Sequence, residues 1–227
     1  MAAVPASVFV PFLSTETLIL LVVLMVPILL LYLFIVVSEE AFELAGMKAS
    51  RALVMTVGAL IGSLIDIPFA VTNGVILAVN VGGCIIPLLL SAEVIARQRV
   101  RPGPAALAVI FVALISYYFA TPVQGEGILM PFYIAPLAGA FAGILLTGAD
   151  ITSPGTAYVG GAAGTLLGAD IFLLATPGTI ETISGGEPTV LSIGGAGVFD
   201  GIFLTGILAV FLAALVARRI RRVNSGL

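Results

Sequence analysis

Two aspartates stand in sequence where an acid is hard to accommodate. Asp170 lies in Gly164-Thr165-Leu166-Leu167-Gly168-Ala169-Asp170-Ile171-Phe172, and Asp200 in Gly194-Gly195-Ala196-Gly197-Val198-Phe199-Asp200-Gly201-Ile202-Phe203. Both stretches are apolar and glycine-rich, with no basic residue nearby. Inside a transmembrane segment an ionisable group is costly and points to function by default. Two carboxyls facing each other at short range cannot both ionise, so they share a proton and titrate as a pair. One can then activate a water while the other protonates a carbonyl, the acid–base division that hydrolyses a peptide bond. Two other roles fit the same residues. A protonated aspartate can hydrogen-bond a neighbouring helix and hold a bundle together. Carboxylates can also line a path for a proton or cation with backbone carbonyls and an asparagine. Asn80, in Val79-Asn80-Val81-Gly82-Gly83 ahead of Pro87, is the natural polar partner.

The rest of the inventory excludes other chemistry. There is no His, and Cys84 is the single cysteine. That removes intrachain disulfides, zinc sites of the usual His/Cys type, and Ser–His or Cys–His pairs. No phosphate-binding loop ending in GK[ST] is present, and the nine Lys and Arg form no nucleic-acid-binding surface. No cofactor and no metal is expected.

The elements that carry these residues follow from composition. Of 227 residues, 60% are hydrophobic and 9% charged, against about a quarter charged in a soluble domain. The solvent must therefore be lipid. Seven apolar segments approach the roughly 20 residues a spanning helix needs: about 18–37, 52–71, 74–95, 105–120, 128–147, 155–175 and 190–217. The second and third are separated by Thr72-Asn73-Gly74 and are expected to form an antiparallel helical hairpin. The first lacks a basic flank and reads as a retained anchor rather than a signal peptide. Lys48 and Arg51, then Arg97, Arg99 and Arg101, then Arg218, Arg219, Arg221 and Arg222 fall on one side of a seven-span chain. The positive-inside rule makes that side cytoplasmic, with the N-terminus outside and the C-terminus inside the cell membrane.

Glycine spacing suggests how the acids meet. Gly160, Gly164 and Gly168 repeat every four residues on the sixth segment, and Gly197 and Gly201 do so on the seventh. Such stripes let two backbones approach closely in lipid. Each Asp sits beside its own stripe, so packing the stripes together is expected to bring the carboxyls near one another. Asp200 is then placed about ten residues, some 15 Å, below the start of its helix. The other acids have plainer readings. Asp66, followed by Pro68, reads as interfacial, Glu93 as an i,i+4 partner of Arg97, and Asp150 as a turn or helix-cap residue.

Four blocks resemble a bacterial and archaeal membrane family filed as domain of unknown function 1614. They are Gly62-Ser63-Leu64-Ile65-Asp66-Ile67-Pro68, Ala78-Val79-Asn80-Val81-Gly82-Gly83-Cys84-Ile85-Ile86-Pro87, Gly164 through Asp170, and Ser192 through Gly206. The resemblance runs from the second segment to the end of the chain. In that family the Asp66 position is usually Asn, which implies that no acid is essential there. A more distant likeness concerns chemistry. Asp200-Gly201-Ile202-Phe203-Leu204-Thr205-Gly206-Ile207 and Ala169-Asp170-Ile171-Phe172 are similar to the regions around the two catalytic aspartates of presenilin and signal-peptide-peptidase-type intramembrane proteases. The departures are several. Gly197-Val198-Phe199-Asp200 is not an intact Gly-x-Gly-Asp, Ala169-Asp170 replaces Tyr-Asp, and the Pro-Ala-Leu motif of a ninth helix is missing.

The expected fold is thus an all-α, seven-helix bundle forming one membrane domain over residues 1–227. The first reading of function is an intramembrane aspartyl hydrolase using Asp170 and Asp200 on a transmembrane peptide. The alternatives are a transporter or channel in which Asp170, Asp200 and Asn80 line a site for a small cation or proton, and a structural scaffold. The expected partners are the lipid bilayer and further copies or helices packing on the glycine stripes, with no nucleic acid.

Overall fold

In a computed structural model, residues 14–72, 74–97, 100–195 and 201–224 are described. The chain divides into two units, 1–36 and 37–227. The first carries most of helix α1 (Thr15–Leu44), whose apolar side chains from Leu18 to Leu33 are exposed. No packing stabilises such a surface in water, so it belongs against hydrocarbon.

The second unit is mainly helical, as expected. It contains α2 (Ala49–Gly62), α3 (Ile86–Ala96), α4 (Pro102–Phe119), α5 (Ile134–Thr147), α6 (Ser153–Thr165), the short α7 (Thr179–Ser184) and α8 (Gly201–Asn224). Two wider-wound π segments interrupt the pattern: π1 (Val81–Ile85) runs into α3, and π2 (Leu166–Phe172) continues α6. The core is built from α4, α5, α6 and α8 packed on one another. Ala140, Ala157, Ala209 and Ala213 form one buried cluster within it.

The glycine stripe of α6 works as a close-packing surface, but its partner differs from the expected one. A β-carbon on Gly160 would stand 2.8 Å from that of Ala108, one on Gly164 2.7 Å from that of Val112, and one on Gly168 2.1 Å from the Ala113 carbonyl oxygen. The stripe therefore packs against α4. Contact between α6 and α8 uses the adjacent face, where a β-carbon on Gly161 would meet Ala209 and Thr205, and one on Gly206 would meet Tyr158. A one-residue step turns a helix by about 100°, so Gly160 and Gly161 serve different neighbours. Gly201 opens α8, and Gly197 lies outside the described residues.

An all-α chain was expected, yet the described residues include five short strands. β1 (Asp66–Thr72) and β2 (Val75–Asn80) form an antiparallel hairpin, and β5 (Val190–Ile193) adds parallel to β2. β3 (Thr121–Val123) pairs with β4 (Gly127–Leu129). The expected helical hairpin around residues 72–74 is thus a β-hairpin. Its physical cause is local. Asn73-Gly74 is the strongest two-residue hairpin signal, with β-branched Ile67, Val71, Thr72, Val75, Ile76 and Val79 on its flanks. Gly74 has φ +81°, a conformation L side chains resist. The register pairs Asp66 with Asn80 and Thr72 with Val75, with a bulge between Pro68 and Ala70. Pro68 cannot donate to a ladder and stands on an edge strand, where its missing N–H costs least. Segments five and seven likewise begin as strand. Residues 190–193 are β5 and α8 runs from Gly201, so the expected helix does not begin near residue 190; Asp200 lies outside the described residues.

Two of the basic groups meet around one acid. Arg51 Nη1 on α2 and Arg97 Nε after α3 both bond Glu93 Oε1, at 2.8 and 2.7 Å. The expected Glu93–Arg97 pair is present, and Arg51 joins it. At the start of α6, a β-carbon on Gly155 would touch Val100, next to Arg101, and the Ala45 carbonyl near Lys48. Asp150 sits in the turn before α6 and accepts the Ile151 N–H at 2.6 Å. The strands occupy the opposite ends of the helices they join.

Candidate functional site

The chain converges on the strand-capped end through hydrogen bonds that begin at Asn80. This residue ends β2, is fully buried, and uses its whole amide. Its Oδ1 accepts the Gly83 N–H at 2.8 Å and caps π1. Its Nδ2 donates to the Ser63 carbonyl at 2.9 Å and to Asp66 Oδ1 at 3.0 Å. Ser192 on β5 also donates its hydroxyl to Asp66 Oδ1. Asn80 is therefore a structural hub joining α2, the hairpin and π1, and it presents the Asp66 carboxylate with two donors fixed.

Asp170 sits in π2, half-buried, across from the end of β5. Its Oδ2 accepts the Gly194 N–H at 2.7 Å. Gly194 has φ +71° and lies directly on π1: a β-carbon on Gly83 would stand 2.0 Å from the Gly194 carbonyl oxygen. Only glycine on both chains allows this crossing. The π winding adds one residue to a turn and re-aims the side chains that follow, a distortion frequent at functional sites. Here it occurs twice, once beside Asn80 and once around Asp170.

Two cavities meet at Asp170. One, of about 400 Å³, is lined by Asp66, Asp170, Ser192, Thr189, Glu126 and Gly195. The other, of about 240 Å³, is lined mainly by apolar side chains, among them Ile128, Met130, Ile202 and Leu208, with Asp170 and Thr165. The loop 176–189 carries α7 and touches the β3–β4 turn, where Gly125 donates to the Ile183 carbonyl at 2.9 Å.

Asp200, the other expected member of the pair, lies outside the described residues, as does its separation from Asp170. Gly195 lines the larger cavity and Ile202 the smaller, and Asp170 lines both. Asn80, expected beside Asp170, instead bonds Asp66. Sequence alone places Asp66 at the interface without its partners and does not single out Ser192. The signal for Asp66 was present in the hairpin: a two-residue Asn-Gly turn fixes the register, and counting back from it sets Asp66 opposite Asn80. Ser192 depends on a parallel pairing more than a hundred residues away, which no local pattern encodes. Among the described residues no three Asp, Glu or Cys side chains converge as a metal site.

The outer surface agrees with a lipid setting. Leu114, Leu145 and Leu215 are 61%, 65% and 66% exposed on three different core helices. Residues 16–44, 102–119 and 202–220 are helices long and apolar enough to cross a bilayer. Fold and site together define a class: a helical protein with span-capable helices, closed at one end by short strands around carboxylates. The chain belongs to the family described as Protein of unknown function (DUF1614), whose model matches residues 36–212. No curated protein and no solved structure matches it, so the presenilin-type likeness rests on the quoted residues alone.

Proposed function

We propose that this chain is an intramembrane aspartyl hydrolase of the cell membrane in which Asp170 and Asp200 share a proton and cleave a transmembrane peptide. The observation that carries this reading is the position of Asp170 where the two cavities meet, with the chain on either side of Asp200 lining one cavity each. The larger cavity offers polar groups to a water, and the smaller offers apolar surface to a membrane segment. One carboxylate takes a proton from the water as it attacks the scissile carbonyl, and the other carboxyl gives a proton to the leaving side. The Gly194 N–H donates to one Asp170 oxygen and holds the carboxyl at the junction of the cavities. The chain crosses the membrane seven times, with α7 confined to a loop and the arginine end in the cytoplasm. Glu93 binding both Arg51 and Arg97 supports this arrangement by holding two of the three basic groups at one end. The direct test is cleavage of a model transmembrane substrate in proteoliposomes. Cleavage by the native chain, lost in Asp200→Asn, is the expected result; an unchanged rate in Asp200→Asn contradicts it.

A second reading has its own observation. Asp66 and Asp170 line the same larger cavity, and Asp66 already accepts two hydrogen bonds from neutral donors. Such a pair suits a proton or small cation. This reading expects pH-dependent flux in liposomes that disappears in both Asp66→Asn and Asp170→Asn.

A further inference from the structure

The smaller cavity is lined by a residue whose buried hydroxyl no described residue satisfies. Thr165, the last residue of α6, is 2% exposed and lines this cavity. Its hydroxyl has no hydrogen-bond partner among the described residues. A helical threonine usually bonds a carbonyl one turn earlier, as Thr156, Thr176 and Thr182 do here. Leaving a buried hydroxyl unmatched is unfavourable, so the arrangement fits a site whose missing acceptor arrives with a ligand.

The cavity limits what that ligand is. Its volume, about 240 Å³, lies below the roughly 300 Å³ at which drug-sized pockets begin. It suits one aliphatic side chain and the adjoining peptide group better than a cofactor. The walls come from β4 and the residues after it (Ile128, Met130) and from α8 (Leu204, Leu208). They are apolar and, apart from Phe132, aliphatic. Asp170 stands in the same cavity, so a side chain seated here puts its own backbone beside that carboxyl.

We infer that this cavity is the side-chain pocket for a Leu- or Val-sized residue of a membrane peptide, and that the Thr165 hydroxyl donates to the peptide's backbone carbonyl. The inference rests on the hydrolase reading for its occupant, and it adds selectivity for an aliphatic residue next to the cleaved bond.

The test uses the full chain in proteoliposomes and a single-span peptide carrying photo-leucine at one position at a time. Labelling of Met130, Leu204 or Leu208 from one or two adjacent positions is expected, also in Asp170→Asn, where cleavage is not required. Thr165→Val is expected to weaken this labelling about fivefold, the effect of one net hydrogen bond, and Thr165→Ser to retain it. Leu208→Trp, which fills the cavity, is expected to abolish it. No labelling, labelling confined to other surfaces, or labelling indifferent to Thr165→Val and Leu208→Trp overturns the inference. A peptide labelled in the cavity but never cut supports the pocket and contradicts the hydrolase. Cleavage without cavity labelling does the reverse.

Discussion

The arginine end and the strand end of this molecule are built on opposite rules. From Ser153 to Gly161 every residue of α6 is buried, in regular helix, against small side chains of α4, α5 and α8. Little more than a turn further the same helix widens into π2, Asp170 becomes half-exposed, and short strands replace helix around it. The first region gains stability by close approach, since lipid gives helices little hydrophobic reason to associate and packing must do the work. The second leaves backbone irregular, which lipid tolerates only where protein buries it or a cavity meets it. Uniform packing therefore marks the scaffold, and broken winding marks the candidate site.

This contrast predicts a graded response to substitution. The largest stability loss is expected at Gly168, where the two rules meet. Gly168→Ala puts a methyl 2.1 Å from a carbonyl oxygen of α4, so the helices must separate, at about 3 kcal/mol. Thermal unfolding in detergent measures it, and a neutral result would mean that α4 and α6 are not in close contact.

Next is Asn80→Ala. It strands the half-buried Ser63 carbonyl and the Gly83 N–H and removes one of the two donors to Asp66, at about 2 kcal/mol. Hydrogen exchange should then rise in the hairpin and π1 while α4 to α6 keep their protection. A uniform rise would erase the distinction between the two regions.

A smaller effect is expected at Gly74. A side chain there meets no atom within 4 Å, so Gly74→Ala costs only the strain of φ +81°, about 1 kcal/mol. At the other end, Glu93→Gln removes two ion pairs in which Arg51 is 55% exposed, at about 0.5 kcal/mol or less. Its measurable consequence should be orientation of the two basic groups, read by labelling from either side of the membrane, with little change in melting.

The regular region was the more legible in sequence. Apolar runs, glycine spacing and the three basic groups follow from composition and period alone, and the Glu93–Arg97 pair from an i,i+4 spacing. Even there the partner of the stripe was misread, because a stripe states that some backbone comes close but does not say which. The strand end was less legible for a physical reason. A window of about 20 apolar residues scores a helix followed by a strand the same as one helix. Residues 52–71 and 74–95 are such composites. Asp170 could be selected by its setting, whereas Asp66 and Ser192 acquire their roles only from strand register.

In the proposed hydrolase Asp170 does chemistry and Asp66 does not. The most direct measurement compares cleavage of one model transmembrane substrate by the native chain, Asp170→Asn and Asp66→Asn, in the same proteoliposomes. The account predicts loss of at least about a hundredfold for Asp170→Asn, the usual scale for removing a general acid or base, and a rate within about threefold of native for Asp66→Asn, since asparagine can still bond its neighbours. Equal cleavage by Asp170→Asn and the native chain would contradict it.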